Sequence, residues 1–390
     1  MTVAAIIVLC SLLLLAYVFE ISASKTRIPS VILLLLLGGI MRQLLLFVEI
    51  KLPDFQAMLP ILGTIGLMLI VLEGSLELEL NKSKLPIIRK SFQVAAIPLL
   101  VLSFGLAFIF MKLGGFTYRN SLLNAIPFAV ISSAIAIPSV RSLTLPNREF
   151  VTYESSLSDI LGVLLFNFIA LNQYVSLNSF WIFILQILLI IAVSFVSVSG
   201  LSLLLSRIKH HVSYTPVILL VILIYMVSKV YHLPGLIFIL VFGLFLGNIE
   251  ELNGNKWIKK LHPEKMSKEV VKFKEITVEA TFLVRTLFFL LFGYLMDPRE
   301  IFNPDTIFWA VGIIALIMAI RAIQLKRSGL LLSPLLFIAP RGLITVLLFL
   351  AIEPASNISI VNNSLVIQVI VISALVMMGG LMTGKGRAQT

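Results

Sequence analysis

Residues 153 to 167 read YESSLSDILGVLLFN, placing two carboxylates, Glu154 and Asp159, and three serines, Ser155, Ser156 and Ser158, at the head of an apolar run. On a helix Glu154 and Ser158, four apart, stack on one face, and Asp159 lies two turns in. Two arginines, Arg285 and Arg341, also fall inside apolar stretches, and Glu73 and Glu279 lie inside or at the ends of others. A charge at the centre of a bilayer costs about 2.5 to 3.5 kcal/mol even on the lenient insertion scale, so each such ion is a functional candidate. Carboxylate and hydroxyl oxygens suit a small hard cation. A buried carboxylate also resists carrying its charge alone, so a proton and a cation would compete for the same oxygens.

Such residues imply a membrane around them. The chain is 59% hydrophobic and 13% charged, with a mean hydropathy of +1.08, whereas a soluble domain carries roughly 25% charged residues. The net charge of +11 does not point to nucleic acid, because the bases punctuate the apolar stretches instead of alternating with aromatics in one patch. They read as topology determinants. Cys10 is the single cysteine and sits in an apolar run, a packing position. The opening MTVAAIIVLCSLLLLAYVFE lacks a basic leading region and is too long an apolar run for a cleaved signal, so it reads as a first transmembrane helix.

Apolar runs long enough to cross a bilayer fall at roughly 2–19, 28–48, 55–76, 91–112, 121–140, 153–172, 180–205, 214–231, 233–248, 277–296, 305–320, 329–352 and 364–383. That predicts an all-α polytopic membrane protein of about thirteen transmembrane helices in a single membrane domain, 1–390. If alternate loops face the cytoplasm, one side holds 22 of the 30 lysines and arginines, with Arg321 counted in the loop after helix eleven, and the other holds 6. This bias places the N-terminus outside and the C-terminus in the cytoplasm of a bacterial inner (plasma) membrane. The longest polar stretch, 249–276, reads as a cytoplasmic loop containing an amphipathic helix.

Helix five, NAIPFAVISSAIAIPSV, carries Pro127, Ser132, Ser133 and Pro138; helix twelve, LLSPLLFIAPRGLITVLLFL, carries Pro334, Pro340 and Gly342. They are seven helices apart, and an odd offset reverses direction. The expected plan is therefore two inverted six-helix repeats, 1–172 and 214–383, joined by a linking helix at 180–205, with one broken helix in each. Proline removes a backbone donor, and the groups it frees persist in a membrane only where they are buried in protein or line a cavity. Two broken helices crossing would make a polar centre.

The sequence here resembles the monovalent cation:proton antiporter superfamily, the sodium/proton exchangers, whose sixth helix reads ESxxND; in this chain it stands as Glu154-Ser155-Ser156-Leu157-Ser158-Asp159. The resemblance implies that Asp159 binds proton and cation alternately. It matches the family's TDPxA to Ser132-Ser133-Ala134-Ile135-Ala136 and the family's Arg-Gly to Arg341-Gly342, in APRGLITVLLFLA. It also implies a Glu154 to Arg341 ion pair and a homodimer. LIVLEGSLELEL, with Glu73 and Gly74, and RTLFFLLFGYLMD, from Arg285 to Asp297, are further similar segments. The family's Asp and Pro of helix five are replaced here by Ser133 and Ala134, and its Asn by Ser158, leaving one carboxylate and several hydroxyls.

The resulting expectation is a secondary active antiporter exchanging Na+, or K+ or Li+, for H+. Asp159, Ser158, Ser132 and Ser133 form its cation and proton site, Glu154 and Arg341 a structural pair, and Arg285 a compensating charge. Arg285 is six residues from Glu279, which does not bring them face to face on a helix; it either faces the helix ends and Ser158 and Asp159 or snorkels to the interface. One titrating acid predicts one-for-one, electroneutral exchange. An enzyme is not expected: the chain has no HExxH and no GxSxG, and His210, His211, His232 and His262 fall in or beside loops. No cofactor and no resident metal are expected, only transported ions and membrane lipid, with no nucleic acid. A gated ion channel or sensor, or a non-transporting relative, fits the same residues.

Overall fold

In the computed structural model the chain is described over residues 2–26, 28–48, 55–78, 81, 83–141, 143–173, 177–207, 215–231, 233, 235–248 and 263–383. Among these residues every extended regular element is a helix. They run as α1 (Thr2–Thr26), α2 (Ser30–Phe47), α3 (Met58–Glu77), α4 (Leu85–Gly114), α5 (Tyr118–Ala129), α6 (Ser133–Ser139), α7 (Leu145–Leu171) and α8 (Leu177–Arg207). There follow α9 (Thr215–Val230), α10 (Gly235–Gly247), α11 (Pro263–Leu295), α12 (Pro298–Ile301), α13 (Pro304–Arg327), α14 (Leu343–Leu350) and α15 (Asn363–Thr383), with 3-10 turns at Leu335–Phe337 and Pro354–Ser356. Nine helical segments among the described residues are long and apolar enough to cross a membrane, and shorter apolar helices accompany them. The all-α class read from the sequence is the observed one.

Helix ends follow local chemistry. Asn303 caps α13, its Oδ1 accepting from Asp305 N at 3.0 Å, with Pro304 behind it and Lys326 and Arg327 in the last turn. Thr117 caps α5 and Asp297 caps α12 in the same way.

The expected segments fall on helices except for the first part of helix twelve, and several ends differ: α4 starts at Leu85 and not at 91, and α7 at Leu145 and not at 153. Helix α1 runs on to Thr26 instead of stopping at 19, which puts Glu20 inside it. Helix α13 continues to Arg327, so Arg321, expected in a loop, is helical and 2% exposed. Helix α11 starts at Pro263, so the described part of the polar stretch, 263–276, is not a separate amphipathic helix; nothing between Pro263 and Gly293 breaks the helix. Residues 249–262, His210, His211 and His232 lie outside the described residues. The second interruption is also longer than expected: 328–342 holds no α-helix, only the 3-10 turn Leu335–Phe337, and regular helix begins at Leu343.

The chain divides into two units. The first comprises Met1–Gly66, Lys90–Gly162 and Leu283–Thr390. In it α13 packs on α15, α1 on α2 and α6, and α5 on α14, around Phe110, Phe128, Phe288 and Phe289, all fully buried. Helices α2 and α11 cross backbone to backbone through glycines: a Cβ on Gly38 would lie 2.2 Å from Leu290 O, and one on Gly293 would lie 2.3 Å from Leu35 O. The second unit comprises Leu67–Arg89 and Val163–Phe282. There α10 packs on α8 and α9, and Asn248 Nδ2 donates to Leu78 O at 2.8 Å.

Candidate functional site

The site is built in the first unit from two interruptions and the middle of α7. Residues 130 to 132 separate α5 from α6. They carry backbone groups that no helix satisfies, which in a membrane protein must find partners inside the fold. Ile131 N donates to Ser158 Oγ at 2.9 Å, and Ser132 N donates to Pro340 O at 2.9 Å across to the second interruption. Ser133 N donates to Asp159 Oδ2 at 3.3 Å, and the Ser133 hydroxyl donates to the same oxygen. The N–H groups of Ile131, Ser132 and Ser133 thus land on the other interruption or on α7.

Two glycines allow these approaches. A Cβ at Gly342 would lie 2.6 Å from Ile135 Cδ1 and 2.9 Å from Ser132 Oγ; one at Gly162 of α7 would lie 2.2 Å from Val130 Cγ2. Asp159, Ser158, Ser132 and Ser133 are all at most 3% exposed, and of the three serines it is Ser133 whose N–H and hydroxyl reach Asp159. Ser158 faces the backbone of the interruption, holding Ile131 N–H. Asp159 Oδ1 is buried with no hydrogen-bond partner among the described residues.

Arg341 does not pair with Glu154. Its Nε donates to Phe128 O at 2.8 Å and its Nη2 to Ala129 O at 3.3 Å, the last carbonyls of α5, while Nη1 donates to Ala339 O at 2.6 Å. The guanidinium thereby caps the negative end of α5 and ties it to the second interruption. Arg341 N donates to Ser373 Oγ of α15 at 2.9 Å.

The partner of Glu154 is Arg321. Its Nη1 donates to Glu154 Oε1 and its Nη2 to Oε2 at 2.9 Å, a bidentate pair with both side chains at most 2% exposed. Its Nε donates to Leu335 O at 2.9 Å in the second interruption. Sequence reasoning missed Arg321 because it ends an apolar run and is followed by Lys326 and Arg327, which disguised it as the first base of a loop. The signal available was its place six residues ahead of Arg327, nearly two turns deeper in a helix whose apolar positions continue past it.

Arg285 is 7% exposed and does not snorkel. Its Nη1 donates to Ala134 O at 3.3 Å, and its Nη2 to Glu20 Oε1 at 3.2 Å. Glu20 is the second residue missed, hidden by the early end assigned to the first helix. Glu279 is exposed on α11 and Glu73 is half-buried one turn from the end of α3. Among the described residues no three His, Cys, Asp or Glu side chains gather as a metal-ligand set.

Chemically, the arrangement offers one buried carboxylate, half held by Ser133 and half free, beside interrupted backbone whose dipole ends are met by Arg341. The model of the family described as sodium/hydrogen exchanger, transmembrane, matches residues 9–384. No curated protein matches the chain. Among solved structures it is similar to the sodium proton antiporter MjNhaP1 from Methanocaldococcus jannaschii. The pH 8 structure has a TM-score of 0.66 at 19% identity, covering 98% of this chain and 96% of that one. The electron-microscopy map gives a TM-score of 0.69 at 20% identity, covering 98% and 95%. At such identities the likeness speaks for the fold.

Proposed function

The chain belongs to the sodium/hydrogen exchanger family, and from that premise we propose that it exchanges a monovalent cation, Na+ or alternatively K+ or Li+, for H+ at Asp159. The observation that carries this reading is the state of one carboxylate: Oδ2 is held by Ser133, while Oδ1 is buried without a hydrogen-bond partner among the described residues. An anionic oxygen left so in low dielectric is costly, and either a proton or a metal cation removes the cost. Both cannot bind the same lone pairs at once, so each displaces the other.

The Ser133 hydroxyl lies on the carboxylate, and hydroxyl oxygens of this kind, with those of Ser132 and Ser158 nearby in the chain, suit a small cation. Arg341, capping α5, keeps the interrupted backbone satisfied without adding a second acid. With Asp159 as the one titrating group, one positive charge moves each way and the exchange is electroneutral. Movement of the site from one side of the membrane to the other follows from rocking of one helix bundle against another, in two inverted repeats at 1–172 and 214–383 joined at 180–205. The same reading places the N-terminus outside and the C-terminus in the cytoplasm of a bacterial inner membrane, and makes the protein a homodimer that needs no cofactor.

The test is cation-dependent proton movement in everted membrane vesicles carrying a pH-reporting dye. Addition of sodium, potassium or lithium should collapse an imposed gradient, and Asp159→Asn should abolish the response at unchanged abundance in the membrane. A response that survives in Asp159→Asn removes Asp159 from the exchange. A parent protein silent towards all three cations leaves a non-transporting relative.

A further inference from the structure

Pro138 is the sixth of the seven residues of α6 and has no N–H. The carbonyl four residues before it, Ala134 O, therefore loses its helical donor, and Arg285 Nη1 supplies one at 3.3 Å. This places a guanidinium one residue from Ser133, the residue whose N–H and hydroxyl hold Asp159. Arg285 is buried, and a buried cation without an anion is costly. Its anion comes from the first helix of the chain: Glu20 Oε1 lies 3.2 Å from Arg285 Nη2. Glu20 is itself fixed, because Ser30 Oγ donates to its Oε2 at 2.7 Å. Arg141, just beyond α6 and 56% exposed, reaches Glu20 Oε1 only at 3.9 Å, so it competes weakly.

We propose that Glu20 is a positioning residue for the exchange: it holds and neutralises Arg285, and so keeps α6 in register with Asp159 and an unpaired positive charge away from the cation. The proposal rests on the reading of Asp159 as the exchange site. Glu20 touches neither Asp159 nor the bound ion; it acts through Arg285, Ala134 and Ser133. Its loss therefore differs from loss of a packing contact. A packing defect lowers abundance or maximal rate, whereas an uncompensated guanidinium beside the site repels the cation and raises KM.

The test is a titration with sodium or lithium, whichever the parent exchanges, in proteoliposomes of the full chain at alkaline pH, where protons compete least. Glu20→Gln is expected to raise KM by at least about fivefold, the effect of one uncompensated charge even about 17 Å away at an effective dielectric of about 20. Glu20→Asp, which keeps the charge, should restore most of the affinity. In an Arg285→Gln background, Glu20→Gln should add nothing further. Where Glu20→Gln fails to reach the membrane, Ser30→Ala loosens the same carboxylate and should move KM in the same direction by less. An unchanged KM in whichever of the two variants is assayed overturns the proposal, as does an equal rise in the Arg285→Gln background. Asp159→Asn, assayed alongside, separates the two failures: if it still exchanges, the site is elsewhere, and if it is silent while KM stays put, only the role of Glu20 falls.

Discussion

Arg321 on α13 meets Glu154 on α7 fork to fork, with neither side chain more than 2% exposed, while its Nε also reaches Leu335 O. One guanidinium thus joins the helix that bears Asp159 to the second interruption. Breaking a buried ion pair from one side strands the other ion, at about 3 to 5 kcal/mol. Glu154→Gln is therefore expected to lower the melting temperature of the purified protein sharply, and Arg321→Gln likewise. A Glu154→Gln/Arg321→Gln double variant should lose clearly less than the two single losses combined. Additive losses would mean that the two side chains do not depend on each other.

Arg341 satisfies three carbonyls, Phe128 O, Ala129 O and Ala339 O. Lysine keeps the charge but not the planar fork that spans them. Arg341→Lys should leave at least one buried carbonyl without a donor, at about 1 to 3 kcal/mol, and slow exchange because the α5 end is no longer held against the second interruption. Thermal melting and initial exchange rates in the same preparation check this. A variant equal to the parent in both would show that the cap carries no energy.

What could be read from residue order alone divides by range. The apolar runs fix where helices lie, because length and hydropathy are local properties, and the prolines with Ser132 and Ser133 mark the first interruption. Pairing is not local. Glu154 is expected to meet Arg341 and instead meets Arg321, and that outcome depends on where the α13 backbone delivers Arg321, about 26 Å along the helix from Pro304 at 1.5 Å per residue, a length that carries no pairing signal. Glu20 was invisible for a related reason: it lies one residue beyond the expected end of the first helix at 19, and only the continuation of α1 to Thr26 carries it to Arg285. Ser158 shows the opposite case, its position foreseen beside Asp159 but its oxygen turned to Ile131 N.

Ser133 holds Asp159 Oδ2 through its hydroxyl and its N–H. Ser133→Ala removes the hydroxyl alone, taking from the anionic carboxylate a hydrogen bond worth about 1.5 to 3 kcal/mol. The cation needs that anion, so KM for the cation at fixed pH should rise by about tenfold or more while the protein still folds. Ser133→Thr, which keeps the hydroxyl, should lie close to the parent. Equal KM values for Ser133→Ala and the parent would detach Ser133 from the binding step.

A one-for-one exchange moves no net charge. An electrogenic cycle carrying one charge would feel about 2.3 kcal/mol per 100 mV of membrane potential. In proteoliposomes with the potential clamped by potassium and valinomycin, assayed with sodium or lithium as the cation, exchange rates at zero and at an inside-negative potential should coincide. A clear dependence on potential would require a second charged group in the transport step, and Glu154 and Glu20 would be the first acids to examine.

Gly342 tests how closely the two interruptions must approach. Its φ of −172° is extended backbone that any residue adopts, so a side chain there fails by contact and not by backbone strain. A Cβ would lie 2.6 Å from Ile135 Cδ1, the flexible tip of a side chain, and 2.9 Å from Ser132 Oγ. Ile135 can turn aside for a single methyl, so Gly342→Ala should keep the fold and reduce exchange. Valine adds two branches that have nowhere to go, and overpacking of that kind costs about 1 to 3 kcal/mol. Part of that cost is relieved by pushing Ser132 away from Pro340 O, which parts the crossing beside Asp159. Gly342→Val is expected to reach the membrane with a lowered melting temperature and to lose cation-dependent proton movement. A Gly342→Val protein that exchanges like the parent would mean that the contact between Ser132 and Pro340 is dispensable, and that Asp159 does not need the second interruption so near.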